Sequence, residues 1–174
     1  MALHINIYGS PGSGKSTLRS KLFSELKMRG YRVEEVIEYA KELTYANDFS
    51  KLSDQVLMLG KQHHPHFVLD DKVDIVVTDS PFIMGITYMN PDEDSYQELK
   101  RLSLKLNNSF NTLNVLIERN HPYQTFGRNQ TEEESEFKHI EIKSLLDSNG
   151  INYIQMDNNE NIVHDIIDMI EMDS

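Results

Sequence analysis

The chain has 174 residues, of which 39% are hydrophobic, a formal net charge of −11 and no cysteine. This length and composition predict one soluble domain over residues 1–174, with a core of substantial size. The missing cysteines exclude disulfides, thiolate catalysis and cysteine-bound zinc, and the acidic balance disfavours extended contacts with nucleic-acid phosphates.

No apolar run reaches the length of a membrane span, and the first residues lack the basic and apolar regions of a signal peptide. We therefore expect no membrane partner and a cytoplasmic location. The sequence does not predict an oligomeric state.

The most informative stretch lies between a predicted strand at residues 3–8 and a predicted helix at Lys15–Met28. It reads Gly9-Ser10-Pro11-Gly12-Ser13-Gly14-Lys15-Ser16-Thr17 and fits the phosphate-binding pattern G-x-x-x-x-G-K-[ST]. A strand before the loop and a helix after it form the context that this pattern requires. We therefore predict that Gly9 and residues 11–17 bind the phosphates of a nucleotide.

Each residue type in this loop has a physical role. Curled backbone N–H groups and a helix start attract a polyphosphate, and Gly9, Gly12 and Gly14 let the backbone approach it closely. Lys15 is expected to reach the β- and γ-phosphates as a positive charge. Ser16 is expected to offer its hydroxyl to Mg²⁺, which prefers oxygen ligands.

The remaining predicted elements alternate between strands and helices. Further strands are predicted at residues 31–37, 73–79, 112–119 and 151–156, where apolar and β-branched residues stand between turn signals. Helices are predicted at residues 53–69, 81–89, 95–107, 131–147 and from 161 onward, with a helix start at 39–43 and a loop at 47–50. This alternation predicts a three-layer α/β fold, in which a five-stranded parallel sheet has helices on both faces.

Two acidic residues stand at the ends of predicted strands, where ligands bind in parallel sheets. Glu38 follows the second strand, and Asp79 follows the third. Near a phosphate-binding loop, one acid can hold Mg²⁺ and the other can take a proton from an attacking hydroxyl. We favour Asp79 for the metal and Glu38 for the acceptor, and the identity of the base stays open between them. Alternatively, Asp79 caps the helix that Pro81 opens, and Glu38 is a solvated residue at the end of the strand or a helix cap.

The polar stretch after the fourth strand, about residues 119–131, contains Pro, Gly, two aromatic residues and two arginines. We predict that it is a short lid, in which Arg119 binds the nucleotide and Arg128 neutralises charge in the transition state. The alternative is a surface loop whose arginines pair with nearby acids.

Three histidines, His63, His64 and His66, fall on one predicted helix. Metal binding is the less favoured interpretation, because adjacent residues of a helix point apart. We expect these side chains at the helix surface or in the lining of a substrate pocket.

The chain resembles the small P-loop nucleoside and nucleotide kinases. It resembles most the nicotinamide riboside kinase domain of bifunctional bacterial NAD-biosynthesis proteins and related AAA-type proteins, many of them encoded by bacteriophages. The matching segments are Gly9–Thr17, Glu38-Tyr39-Ala40-Lys41-Glu42, Thr78-Asp79-Ser80-Pro81 and the lid with Arg128. The resemblance implies a P-loop NTPase fold, ATP as the phosphate donor, Mg²⁺ and a nucleoside-like acceptor. Ser80 and Pro81 stand where nucleoside kinases usually have an arginine, which leaves the phosphate-clamping role to the lid.

We therefore predict an ATP-dependent kinase that transfers the γ-phosphate to a hydroxyl of a nucleoside, a nucleotide or a related small molecule. One alternative is a kinase that acts on a hydroxymethylated base in DNA, as some phage relatives do, although the net charge disfavours it. The other is an NTPase switch or a nucleotide-binding module without an acceptor, because the same loop serves those functions.

Overall fold

In the computed structural model, which describes residues 1–123 and 131–172, the five predicted strands form one parallel sheet. Their order across the sheet is β2-β3-β1-β4-β5. The strands are β1 (Leu3–Tyr8), β2 (Val33–Val36), β3 (Ile75–Thr78), β4 (Asn111–Glu118) and β5 (Ile154–Asp157). The predicted α/β fold is therefore confirmed, although β2, β3 and β5 are shorter than predicted.

Seven α-helices and one 3₁₀ helix surround the sheet in the described ranges. The α-helices are α1 (Lys15–Met28), α2 (Tyr39–Ala46), α3 (Phe49–Ser53), α4 (Gln55–Leu69), α5 (Tyr96–Asn107), α6 (Glu132–Ser148) and α7 (Ile162–Met172). The 3₁₀ helix is Phe82–Tyr88. None of these helices is both long and apolar enough to span a bilayer.

Among the described residues, the core has two large hydrophobic clusters, one on each face of the sheet, and a third, smaller one. Both faces carry apolar side chains because alternate side chains of a strand point to opposite faces. Ile5 and Ile7 of β1 pack in a cluster with apolar residues of α1 and α7, such as Leu22 and Ile166. Tyr8 belongs to the second cluster, with residues of the 3₁₀ helix, α5 and α6. Both faces are therefore covered, which explains why the central strands are apolar over most of their length.

Local signals in the sequence fix several helix ends. Thr131 and Glu134 form a capping box at the start of α6, in which each side chain accepts a hydrogen bond from the other residue's backbone N–H. Gly30 and Gly150 follow α1 and α6 with φ angles of +89° and +65°, the left-handed conformation that glycine favours after a helix.

The loop predicted at residues 47–50 is too long, because α2 ends at Ala46 and α3 begins at Phe49. Asn47 adopts a left-handed φ angle of +55° and ends α2. Asp48 then accepts a hydrogen bond from the backbone N–H of Lys51 at 3.2 Å and so caps the short helix α3. Turn-forming residues here separate two helices instead of forming an extended loop.

Two other helix predictions need correction. The helix α4 starts two residues after Ser53, because Asp54 is its cap and accepts a hydrogen bond from the N–H of Leu57 at 2.9 Å. The segment predicted as a helix at residues 81–89 is a 3₁₀ helix. Gly85 in its middle lowers the propensity for a regular α-helix.

Candidate functional site

The carboxyl ends of the strands bring most of the predicted site residues to one edge of the sheet. β1, which leads into the glycine-rich loop, lies in the centre between β3 and β4. Thr78 is the register partner of Asn6 on one side and of Val36 on the other. Asp79 therefore lies beside the end of β1, and Glu38 lies at the end of the next strand.

The loop between β1 and α1 has a backbone that requires glycine. Gly12 and Gly14 adopt φ angles of +84° and +93°, which side-chain-bearing residues rarely take. A Cβ atom on Gly14 would also collide with the side-chain amide of Asn158. That amide donates a hydrogen bond to the carbonyl oxygen of Ser13 at 2.7 Å. The close approach of a neighbouring side chain thus adds a second reason for glycine at this position.

Two residues from outside the motif hold the loop, and the sequence analysis missed both. Asn158 follows β5 and bonds Ser13, as described above. Ser135 of α6 is buried and donates its hydroxyl to the carbonyl oxygen of Pro11 at 2.6 Å. Because these contacts join distant segments, no local sequence signal could have revealed them.

Lys15 carries the positive charge of the loop. Its ammonium group donates hydrogen bonds to the carbonyl oxygens of Gly9 at 2.7 Å and Ser10 at 2.9 Å. Lys15 is also the first residue of α1, and Ser16 follows it there. The first N–H groups of a helix have no partner within it, so charge and backbone donors meet at one place suited to a phosphate.

Arg19 is a site residue that the sequence analysis missed. It lies on α1, one turn after Lys15, and it is 9% exposed. Its guanidinium donates hydrogen bonds to Glu35 Oε2 at 3.0 Å and to Asp79 Oδ1 at 2.9 Å. The sequence did contain a signal for a buried charge here, because Arg19 is a basic residue between Leu18 and Leu22 on the apolar side of the helix.

Glu38 is half-buried, and burial raises its pKa above the ordinary value for a glutamate. The nearby positive charge of Lys15 opposes this shift, whereas the negative charge of Asp79 adds to it. The three side chains are therefore close enough to influence one another, as the sequence predicted. A carboxylate with a raised pKa is better suited to accept a proton near neutral pH.

The donor set near the loop fits Mg²⁺. Ser16 and Asp79 supply a hydroxyl and a carboxylate, the oxygen ligands that this ion prefers. Arg19, Glu35 and Asp79 together carry one net negative charge in a largely buried place, which favours a cation. In the described ranges, no group of three or more histidine or acidic side chains is arranged to hold a metal by itself. Such a site suits an ion that keeps several waters and binds with substrate phosphates.

A surface cleft of about 600 Å³ adjoins Glu38. Two tyrosines, Tyr39 and Tyr45, line it, together with Lys61 and His64. The ammonium group of Lys61 lies 5.5 Å from the centre of the Tyr39 ring. This volume is in the range of small-molecule pockets. His64 is exposed on α4, so its expected position at the helix surface is confirmed.

Arg119 lies just beyond β4 and is bound to acids of α6. Its guanidinium is 2.8 Å from Glu132 and 3.5 Å from Glu136, and its Cζ atom lies 5.2 Å from the centre of the Tyr123 ring. These contacts correspond to the alternative in which the arginine pairs with nearby acids. Arg128 and residues 124–130 lie outside the described residues. The lid and the nucleotide contacts of both arginines therefore remain predictions.

His66 is a core residue, so the expected surface or pocket position is wrong for it. Its Nδ1 atom is 2.8 Å from Nδ1 of His4, and His4 Nε2 is 3.1 Å from Asp70 Oδ1. Both histidines are buried. His63 packs instead against the ring of Phe82, with 6.0 Å between the ring centres.

Comparison with solved structures identifies proteins with a similar fold. Two structures of NadR share the fold. The structure in complex with NR has 23% sequence identity and a TM-score of 0.66, and the match covers 91% of this chain. The structure in complex with NAD and AMP-PNP has 22% identity and a TM-score of 0.71, and the match covers 98% of this chain. This chain spans only 46% and 49% of those two chains, about half of their length. No curated protein sequence matches significantly.

A family model described as an AAA domain matches residues 4–161. This range includes the glycine-rich loop, Arg19, Glu38 and Asp79. The structural likeness to NadR agrees with the resemblance predicted from the sequence motifs. Because the family model covers most of the sequence, the chain belongs to the AAA domain family.

Proposed function

We propose that this chain is an ATP-dependent kinase that transfers the γ-phosphate to a hydroxyl of a nucleoside-like small molecule. One observation carries the proposal. Glu38, whose pKa is raised by burial, is near enough to Lys15 of the phosphate-binding loop for that positive charge to oppose the shift, and it also lines a cleft of about 600 Å³. Transfer to an alcohol requires a proton acceptor next to both a phosphate site and an acceptor pocket.

The loop provides the phosphate-binding part of the mechanism. Its backbone N–H groups and the start of α1 bind the phosphates of ATP, and Lys15 moves its ammonium group from loop carbonyls to phosphate oxygens. These groups stabilise the negative charge that spreads over the transferred phosphoryl group.

Glu38 acts as the base in this proposal. It accepts the proton of the acceptor hydroxyl while the hydroxyl oxygen forms a bond to the γ-phosphorus. The bond from that phosphorus to the β–γ bridging oxygen breaks, ADP leaves, and Glu38 then releases the proton to water. The raised pKa of Glu38 supports this assignment, because a base is most effective when its pKa approaches the working pH.

Ser16 and Asp79 are the residues that would hold Mg²⁺. When bound, the ion neutralises charge on the β- and γ-phosphates of the substrate. Asp79 is 2% exposed and already hydrogen-bonded to Arg19, so it is poorly placed to exchange protons with an acceptor.

The cleft beside Glu38 is the proposed acceptor site. Tyr39 and Tyr45 offer aromatic rings on which a planar base could stack. The NadR structures give further support, because one of them contains NR and the other contains NAD and AMP-PNP. The proposed acceptor is therefore a nucleoside-like molecule, and its nucleobase is left unspecified.

The direct test is ADP formation from ATP and Mg²⁺, measured with and without a panel of nucleosides, nucleotides and hydroxymethylated DNA. We expect ADP formation to depend on a small acceptor and a phosphorylated product to appear by mass spectrometry. Dependence on the modified DNA would instead indicate a DNA kinase. Turnover without any acceptor would indicate an NTPase switch, and no turnover at all would indicate a binding module.

The role of Glu38 has a separate test. The Glu38→Gln variant should lose acceptor-dependent turnover by about 100-fold or more, the range expected for removal of a general base. The affinity of this variant for the ATP analogue AMP-PNP should change little. Glu34→Gln is the matched control, because Glu34 is an exposed residue of β2, the strand before Glu38, and its carboxylate pairs with Lys27 at 3.2 Å. Equal turnover in both variants would exclude Glu38 as the base.

A further inference from the structure

Arg19 joins three elements at the edge of the candidate site. It extends from α1 and bonds Glu35 of β2 at 3.0 Å and Asp79, just beyond β3, at 2.9 Å. Arg19 and Asp79 are only 9% and 2% exposed. The planar guanidinium binds a different carboxylate through each of two nitrogen atoms, which restricts the orientation of all three groups.

The position of Arg19 on α1 connects this arrangement to the phosphate-binding loop. Arg19 follows Ser16 by three residues and Lys15 by four, so the three side chains lie along the same side of the helix. The helix that carries the proposed magnesium-binding hydroxyl therefore also holds the proposed magnesium-binding carboxylate. Any displacement of α1 would move both together.

The charges suggest more than a structural brace. Arg19, Glu35 and Asp79 form a trio of one guanidinium and two carboxylates, which keeps one net negative charge. Buried ion pairs contribute little to stability compared with well-packed apolar residues. In the described part of the chain, no hydrogen bond joins Asp79 Oδ2 to a protein group, whereas Oδ1 is bonded to Arg19. The trio therefore fixes one oxygen of Asp79 and keeps the negative charge that a cation needs.

We infer that Arg19 is a positioning residue for the magnesium that accompanies the nucleotide. It acts through Asp79, and Glu35 in turn orients Arg19. This inference rests on the proposed function and adds a residue outside the loop motif to it. Partners that orient a metal ligand typically change metal affinity by about 10- to 100-fold when they are replaced. Arg19 should therefore affect Mg²⁺ dependence more than it affects the binding of metal-free nucleotide.

The test is the affinity for AMP-PNP, measured by calorimetry over a range of Mg²⁺ concentrations. Arg19→Lys keeps the charge but cannot bond both carboxylates through a planar fork. We expect it to raise the Mg²⁺ concentration for half-maximal enhancement of binding by about tenfold. The affinity without Mg²⁺ should stay within about twofold of the wild-type value, because metal-free binding rests on the loop rather than on Asp79.

Arg29→Lys is the matched control. Arg29 lies directly after the same helix and also bridges two carboxylates, Glu25 at 3.1 Å and Glu171 at 2.9 Å, but far from the loop. This variant should retain the wild-type Mg²⁺ dependence. Glu35→Gln provides a second test if Arg19→Lys folds poorly, and we expect a smaller increase in the same direction.

The outcomes separate the inference from the proposed function. If the wild-type protein binds AMP-PNP without any effect of Mg²⁺, the magnesium part of the proposed function fails. If the wild type depends on Mg²⁺ and the variants of Arg19 and Glu35 retain that dependence, only the inference fails, and the trio is a structural brace. A decrease in the required Mg²⁺ concentration would also overturn the inference, because it would mean that Arg19 competes with the metal.

Discussion

Replacing Gly14 with alanine should destabilise the protein through two separable effects. At a φ angle of +93°, an alanine costs about 1–2 kcal/mol for the left-handed conformation. Its Cβ would also displace the Asn158 amide from the carbonyl oxygen of Ser13, and a lost hydrogen bond of this kind costs about 1 kcal/mol. The free energy of unfolding should therefore fall by about 2–3 kcal/mol.

Urea unfolding of three variants can separate these effects. Asn158→Ala alone removes the hydrogen bond and should cost about 1 kcal/mol. In that background, Gly14→Ala should cost only the conformational part, about 1–2 kcal/mol, because no amide remains to be displaced. The double variant should therefore be about 1 kcal/mol more stable than the sum of the single effects predicts.

Gly60→Ala is the control for the substitution itself. Gly60 lies in α4, and a Cβ atom there would have no neighbour within 4 Å. Alanine should stabilise this helix by about 0.5–1 kcal/mol. This reasoning would be refuted if Gly14→Ala unfolded at the same midpoint urea concentration as the wild type. It would also be refuted if the effects of Gly14→Ala and Asn158→Ala on the free energy of unfolding were fully additive.

Three other predictions address the catalytic charge, the buried histidines and a helix cap. Lys15→Ala should abolish acceptor-dependent ADP formation while the circular dichroism spectrum stays unchanged, and turnover at the normal rate would exclude its role. Burial lowers the pKa of His4 and His66, to about 3 for His66, so only the unfolded state takes up protons near their ordinary pKa. The free energy of unfolding should thus be retained above about pH 6.5 and fall at lower pH, by at most about 1.4 kcal/mol per pH unit for each histidine. Urea titrations between pH 7 and pH 5 check this, and a similar slope in His66→Phe would contradict it. Thr131→Ala should cost about 1 kcal/mol in the same assay through loss of the capping box, and an unchanged midpoint would exclude that contribution.

The sequence predicts those parts of the site that depend on local patterns. Gly9–Thr17 is recognisable because phosphate binding requires particular residues at fixed spacing between a strand and a helix. Glu38 and Asp79 are predictable because the carboxyl ends of parallel strands meet at one edge of the sheet. The capping box of Thr131 is likewise encoded within four residues.

Other parts of the site depend on tertiary contacts that no short pattern encodes. Asn158 and Ser135 hold the loop from segments more than 120 residues away along the chain. Arg19 is an ordinary helix residue until Glu35 and Asp79 are brought beside it by the sheet. His66 was expected to be exposed or to line a pocket, because its buried partner on β1 cannot be seen from the helix alone.

The most direct measurement of the central claim is a calorimetric titration of the protein with AMP-PNP in the presence of Mg²⁺. We predict that the wild-type chain binds one nucleotide and that Lys15→Ala binds it far more weakly. A wild-type protein without affinity for the magnesium nucleotide, or equal binding by both proteins, would contradict the claim that the loop from Gly9 to Thr17 is a nucleotide site.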